Sequence, residues 1–110
     1  MLNVILKNHD FKYEVAELIK LFTSDFQFVE NKSFGMVLEN NLLEYNNTLI
    51  STSKYYENYE LRFESSENIK IDGLSEQELK KRTKEMIKRS MFKVLKKKFN
   101  TYVPWGILTG

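Results

Sequence analysis

The sequence predicts an α+β fold: an antiparallel sheet meander with two helices packed on one face, in β-α-β-β-β-α order. Three observations carry this expectation. Apolar residues recur at helical spacing in two separate segments, 11–22 and 75–99. Between them, residues 26–71 change to a strand-like period rich in Val, Leu, Ile, Thr and Tyr. The strands of that region are short and linked by short turns, which favours an antiparallel meander.

The elements follow in order. Leu2, Val4 and Leu6 alternate with Asn3 and Lys7, so residues 2–7 read as a strand with one buried face. Asp10 is placed to cap the helix that follows. Phe11, Val15, Leu18, Ile19 and Phe22 form its apolar stripe, with Lys12, Glu14, Glu17 and Lys20 off the stripe. Thr23-Ser24-Asp25 ends it. Phe26, Phe28 and Glu30 then alternate with Gln27 and Val29. Residues 34–45 and 48–56 make the next two strands, with Asn46-Asn47 as the turn. A second reversal near Glu57-Asn58 returns through Leu61 and Phe63, leaving Glu60, Arg62 and Glu64 to water.

The second helix has the best-marked start. Ser75 and Glu78 form a capping box, Leu74 and Leu79 a hydrophobic staple, and Gly73 permits a sharp entry. Leu79, Met86, Ile87, Met91 and Val94 share one side with the small Thr83 and Ser90. Phe92 and Phe99 fall outside that stripe, among the lysines, with Leu95 at their margin. Residues 102–110, Tyr-Val-Pro-Trp-Gly-Ile-Leu-Thr-Gly, are apolar where a chain end is normally polar. The bland reading is a last strand or an extended arm packed on the sheet; the sharper one, taken here, is a linker, with residues 1–101 forming one domain and 102–110 leading into a domain that lies beyond. Phe92, Phe99 and Trp105 then supply a docking surface for it.

The chain has 110 residues and 13.1 kDa, enough for one domain with its own core. Its formal charge of +2 hides a split. Residues 80–98 hold ten Lys/Arg and one acid, Glu85, a local +9, while the remainder carries −7. Part of this helix charge is expected to face the chain's own acidic sheet or a partner. The functional reading of the helix is an anion site, for which Lys81, Lys88, Arg89 and Lys96 are the candidates; its partners would be nucleic acid, acidic headgroups or a polycarboxylate. The bland reading is a solvated face whose lysines favour the negative end of the helix dipole. No segment is apolar for long enough to span a membrane, no signal peptide is evident, and a cytoplasmic protein is the expectation.

Catalytic signals are weak. With no cysteine, thiol nucleophiles, disulfides and cysteine-held clusters are excluded from this chain. His9 is the single histidine, precedes a helix cap and reads as a solvated or capping-region residue. Glu57, Glu60, Glu64 and Glu67 read as an exposed acidic face. The four glycines cradle no phosphate. Neither a catalytic nor a metal-ligating residue is predicted.

The run Pro104-Trp105-Gly106-Ile107-Leu108-Thr109-Gly110 behind a Lys/Arg-rich helix resembles the N-terminal region of a bacterial family, the oxygen-independent coproporphyrinogen III oxidase-like proteins, or coproporphyrinogen dehydrogenases. Leu38-Glu39-Asn40 and Thr52-Ser53-Lys54 are similar over shorter stretches. The resemblance spans most of this chain but about the first quarter of such a protein. It implies a radical-SAM barrel following in the same chain, a [4Fe–4S] cluster held by C-x-x-x-C-x-x-C, S-adenosylmethionine, and a tetrapyrrole substrate decarboxylated at its propionates. None of those cysteines is in this chain. The implied role here is a non-catalytic accessory domain that packs on the barrel, with lysines that attract the anionic substrate.

Overall fold

The computed structural model describes residues 1–99. They run β1 (Leu2–Lys7), α1 (Lys12–Ile19), β2 (Phe26–Phe28), β3 (Met36–Tyr45), β4 (Thr48–Glu57), β5 (Glu60–Lys70) and α2 (Glu76–Phe99). The class is α+β, and the strands form one five-stranded open sheet in the order β2-β1-β3-β4-β5.

The sheet is mixed, which corrects the expected all-antiparallel meander. β3, β4 and β5 do form an antiparallel meander. β1, however, lies between β2 and β3 and is parallel to both. The reason is the connections. α1 carries the chain back along the sheet between β1 and β2, and the segment 29–35 does so again between β2 and β3. A strand entered after such a crossover runs parallel to its neighbour.

Both helices cover one face. Leu2 and Val4 of β1, Leu38 of β3 and Tyr55 of β4 meet Val15, Leu18 and Ile19 of α1 and Ile87, Met91 and Val94 of α2 in a single core. Each such apolar side chain, taken fully out of water, contributes about 1.5–3 kcal/mol. The opposite face is covered only in part. Segment 29–35 crosses it, with Ser33 accepting from the Asn3 amide at 3.0 Å and Lys32 lying 3.8 Å from the centre of the Tyr56 ring. Ile5 and Val37 of this face are buried.

The local chemistry of the turns is as expected in three places and different in two. Asn46 and Asn47 have φ of 50° and 57°, the left-handed pair a two-residue hairpin needs. Gly73 enters α2 at φ 79°. Ser75 Oγ accepts the Glu78 amide at 3.1 Å and itself donates to the Glu78 carboxylate at 3.2 Å. Asp10, by contrast, does not cap α1; the N-cap is Phe11, with no side-chain cap. Leu61 is 46% exposed instead of sharing a face with Phe63. A bulge at Tyr55/Tyr56 sets Phe63 opposite Tyr55 and Leu61 opposite Tyr56, so the two side chains leave by opposite faces.

Candidate functional surface and the buried polar network

At about 100° per residue, Lys81, Lys88, Arg89 and Lys96 occupy a ~100° arc of α2 that also carries Phe92 and Phe99. The stripe is about 22 Å long at 1.5 Å rise per residue. Lys81, Arg89 and Lys96 are exposed and Lys88 is half-buried. Along the flanks of this arc, α2 meets the acids of its own chain. Glu67 of β5 takes Lys93 at 3.1 Å and Arg89 at 3.8 Å. Glu57 of β4 takes Lys98 at 3.5 Å, and Glu14 of α1 takes Lys84 at 3.7 Å. The expected facing of helix charge and acidic sheet is thus present.

Glu57 has a second partner. The Tyr55 hydroxyl donates to its carboxylate at 2.9 Å. That hydrogen bond first, and the Lys98 charge second, hold the Glu57 carboxyl below the usual range. The same pair, together with burial as the larger cause, pushes the Tyr55 phenol up.

The proposed docking residues do not stand together on the surface. Phe92 is 8% exposed and belongs to the core, its ring 6.0 Å from that of Phe22. Phe99 is half-buried against the same ring, also at 6.0 Å. By helical angle both lie among the lysines, opposite the main stripe, but that side is not open: α1 and the residues after it pack beside α2, so α2 buries a second stripe through Phe92 and Leu95. Trp105 lies outside the described residues.

Sequence reasoning did not find the most ordered polar feature. Asn40, Ser51, Ser53 and Ser90 are each 0% exposed and meet between the sheet and α2. Asn40 Nδ2 donates to Ser51 Oγ and Ser53 Oγ, both at 2.9 Å. The two serines each lie 2.9 Å from Ser90 Oγ, which donates to the Ile87 carbonyl at 3.0 Å. One direction of donation satisfies every hydrogen: Asn40 to the two serines, these to Ser90, Ser90 to the backbone. Asn40 Oδ1 is left as an acceptor, and His9 Nε2 sits 2.7 Å from it. His9 Nδ1 in turn accepts the Phe11 amide at 3.3 Å. His9 is therefore the neutral Nε2–H tautomer, and burial, outweighing its bond to Asn40, holds its pKa below the ordinary value. Of the two expected readings, a solvated or a capping-region residue, the geometry is that of the second. The available signal was three serines at inward positions, Ser51 and Ser53 two apart on a strand and Ser90 within an apolar helical stripe.

Two clefts flank His9. One, of about 420 Å³, lies at the carboxyl ends of β1 and β2 and is lined by Lys7, Lys12, Phe28 and Glu30 among others. There α1 leaves β1 on one face of the sheet and segment 29–35 leaves β2 on the other, a divergence that opens a crevice between neighbouring parallel strands. The second, of about 440 Å³, is walled by Phe11, Leu42, Leu49 and Leu79, with Glu76 and Lys80 at its rim. Among the described residues no group of three or more His, Cys, Asp or Glu is placed to hold a metal ion. No helix among them is long and apolar enough to cross a membrane.

No protein-family model matches the chain, and no curated protein does. A solved structure, a minor lipoprotein from Acinetobacter baumannii, is similar over 90% of this chain and 87% of that one, with 10% identity and a TM-score of 0.35. A likeness of that size carries no argument about fold or function.

Proposed function

We propose that this chain is the non-catalytic N-terminal accessory domain of a radical-SAM coproporphyrinogen III dehydrogenase, acting in the cytoplasm in haem biosynthesis. The observation that carries the reading is the sequence run 102–110 behind the basic helix α2, with its Pro-Trp-Gly-x-Leu-Thr-Gly pattern. The absence of cysteine from the chain fits this division of labour: the cluster and S-adenosylmethionine belong to the barrel, and none of these residues holds them. Trp105 and the exposed part of Phe99 contact the barrel in this reading; Phe92 is committed to the core. The outer arc of α2, with Lys81, Lys88, Arg89 and Lys96, raises the local concentration of a tetracarboxylate substrate by long-range attraction.

The codons that follow Gly110 test the assignment. An open frame encoding C-x-x-x-C-x-x-C is expected, and a continuation without it refutes the reading. Within the whole enzyme, Lys88→Glu with Lys96→Glu should raise KM several-fold at low salt and far less at high salt. An unaltered KM at low salt removes the substrate role while leaving the domain assignment intact.

A further inference from the structure

The start of α1 has an unusual anchor. Helices normally begin with a Ser, Thr, Asp or Asn side chain that accepts an otherwise orphaned amide. α1 has none, and its N-cap residue, Phe11, gives its own amide to a histidine ring instead. That ring is fixed from its other side by Asn40, the hub of the buried network. The loop is pinned again one residue earlier, where Asn8, at φ 65°, donates from its side chain to Asn41 at 2.8 Å. The carbonyl of Phe11 then accepts the Val15 amide at 3.1 Å and starts the helix.

We propose that His9 is a proton-operated latch on the first turn of α1. Neutral, its Nδ1 accepts the Phe11 amide while its Nε2–H holds Asn40. On protonation, Nδ1 becomes a donor that faces another donor. The bond to Asn40 survives, because Nε2 still carries its hydrogen, so the ring stays in place and releases Phe11. The first turn of α1 then opens, and the Phe11 wall of the larger cleft moves with it.

The charges around the ring do not restore what is lost. Lys7 from the end of β1, Lys12 from α1 and Lys80 from α2 oppose the imidazolium; Asp10 in the loop, Glu30 after β2 and Glu76 from α2 favour it. These are three of each sign. The adjacent Asp10 carboxylate is 85% exposed and lies 4.0 Å from Lys12. β3 presents Asn40 and Asn41, which are uncharged. Burial, which lowers the imidazole pKa against the opposing effects of the Asn40 bond and the Asp10 charge, acts in the same direction as the donor conflict.

Amide hydrogen exchange on the 110-residue chain, as protection factors at about pH 7.5 and about pH 4, extends below the ordinary imidazole range, as the lowered pKa of His9 requires. Protection of the Phe11 and Val15 amides should fall about fivefold or more between the two, while Leu38 and Ile87 keep theirs. In His9→Gln, the side-chain nitrogen can still donate to Asn40, but Nδ1, the acceptor beside the Phe11 amide, is gone. This variant should show the low protection at both pH values. A flat profile in the parent chain, or the parent's pH dependence in His9→Gln, overturns the latch. Imidazole nitrogen shifts of the unaltered chain provide a check that needs no variant: a neutral Nδ1–H tautomer at about pH 7.5 also overturns it.

Discussion

Removing the side chain of Asn40 should be among the most damaging single changes to this fold, and the reason lies in the hydrogen count. Asn40→Ala deletes two donors and one acceptor from a site with no access to water. Ser51 and Ser53 retain their bonds to Ser90 but lose the hydrogens they accept, and His9 Nε2–H loses its acceptor. A buried polar group left without its partner costs about 1–3 kcal/mol. Two serine acceptors keep one bond each and fall at the low end; the half-buried His9 donor falls between. With a small cavity added, the loss is about 3–5 kcal/mol. A domain of this size has roughly 5–15 kcal/mol to lose. Urea unfolding followed by far-UV circular dichroism, with unchanged slope, measures it directly. The control is the triple change Ser51→Ala, Ser53→Ala and Ser90→Ala made in the Asn40→Leu background, which removes all the polar partners from the strands and α2 together. That protein should be more stable than Asn40→Ala alone, because burying groups unpaired is worse than not having them. An Asn40→Ala loss below about 1 kcal/mol, or a four-fold variant less stable than the single one, refutes the directional network.

Two other outcomes follow from the same geometry. Tyr59 sits at φ 68° beside Asn58 at φ 54°, a left-handed pair in which a bulky aromatic occupies the place glycine prefers. Tyr59→Gly should therefore raise stability by roughly 0.5–1 kcal/mol in thermal unfolding, and a loss would show that the ring contact with Phe34 at 6.0 Å matters more than the backbone. Glu57 has its folded pKa depressed, so its contribution to stability is present above the ordinary carboxylate range and is lost as pH falls through the folded value. Tyr55→Phe removes the larger cause; the carboxyl shift of Glu57, followed by carbon-13 NMR, should then titrate closer to the ordinary value, and an unmoved midpoint would assign the depression to Lys98.

How far the sequence could be read depends on the range of the information in it. β1, α1 and α2 announce themselves by local period, and the Asn46-Asn47 turn and Ser75 cap by residue chemistry, all within a few positions. The place of β1 between β2 and β3 does not, because it is decided by which edge the chain returns to after each crossover. Leu61 was misplaced because one bulge reverses every later side chain relative to the earlier alternation. β4 was ambiguous in a different way. Its inward residues are Ser51, Ser53 and Tyr55 and its outward ones Ile50, Thr52 and Lys54, so polarity alone points the strand no particular way. The candidate surface shows the same division. Lys81, Lys88, Arg89 and Lys96 share an arc by spacing alone, whereas the fate of Phe92 depended on α1 arriving beside it.

That arrival also gives part of the helix charge partners within the chain. The ion pairs of α2 with Glu14, Glu57 and Glu67 are partly exposed, and pairs of that kind contribute about 0–1 kcal/mol each. They are too weak to explain why a fold would concentrate a local +9 in one helix, when apolar burial on the inner side already holds that helix in place. Their effect is on the shape of the potential. Carboxylates meet basic residues on the two flanks, where α2 meets α1 and the sheet. A charge maintained on the outer side acts at a distance of about a Debye length, some 8–10 Å at physiological salt, where it affects encounter and not folding. Under the proposed function the two roles would separate by position on one helix: the flanking basic residues serve the structure of this domain, and the outer ones the approach of an anion.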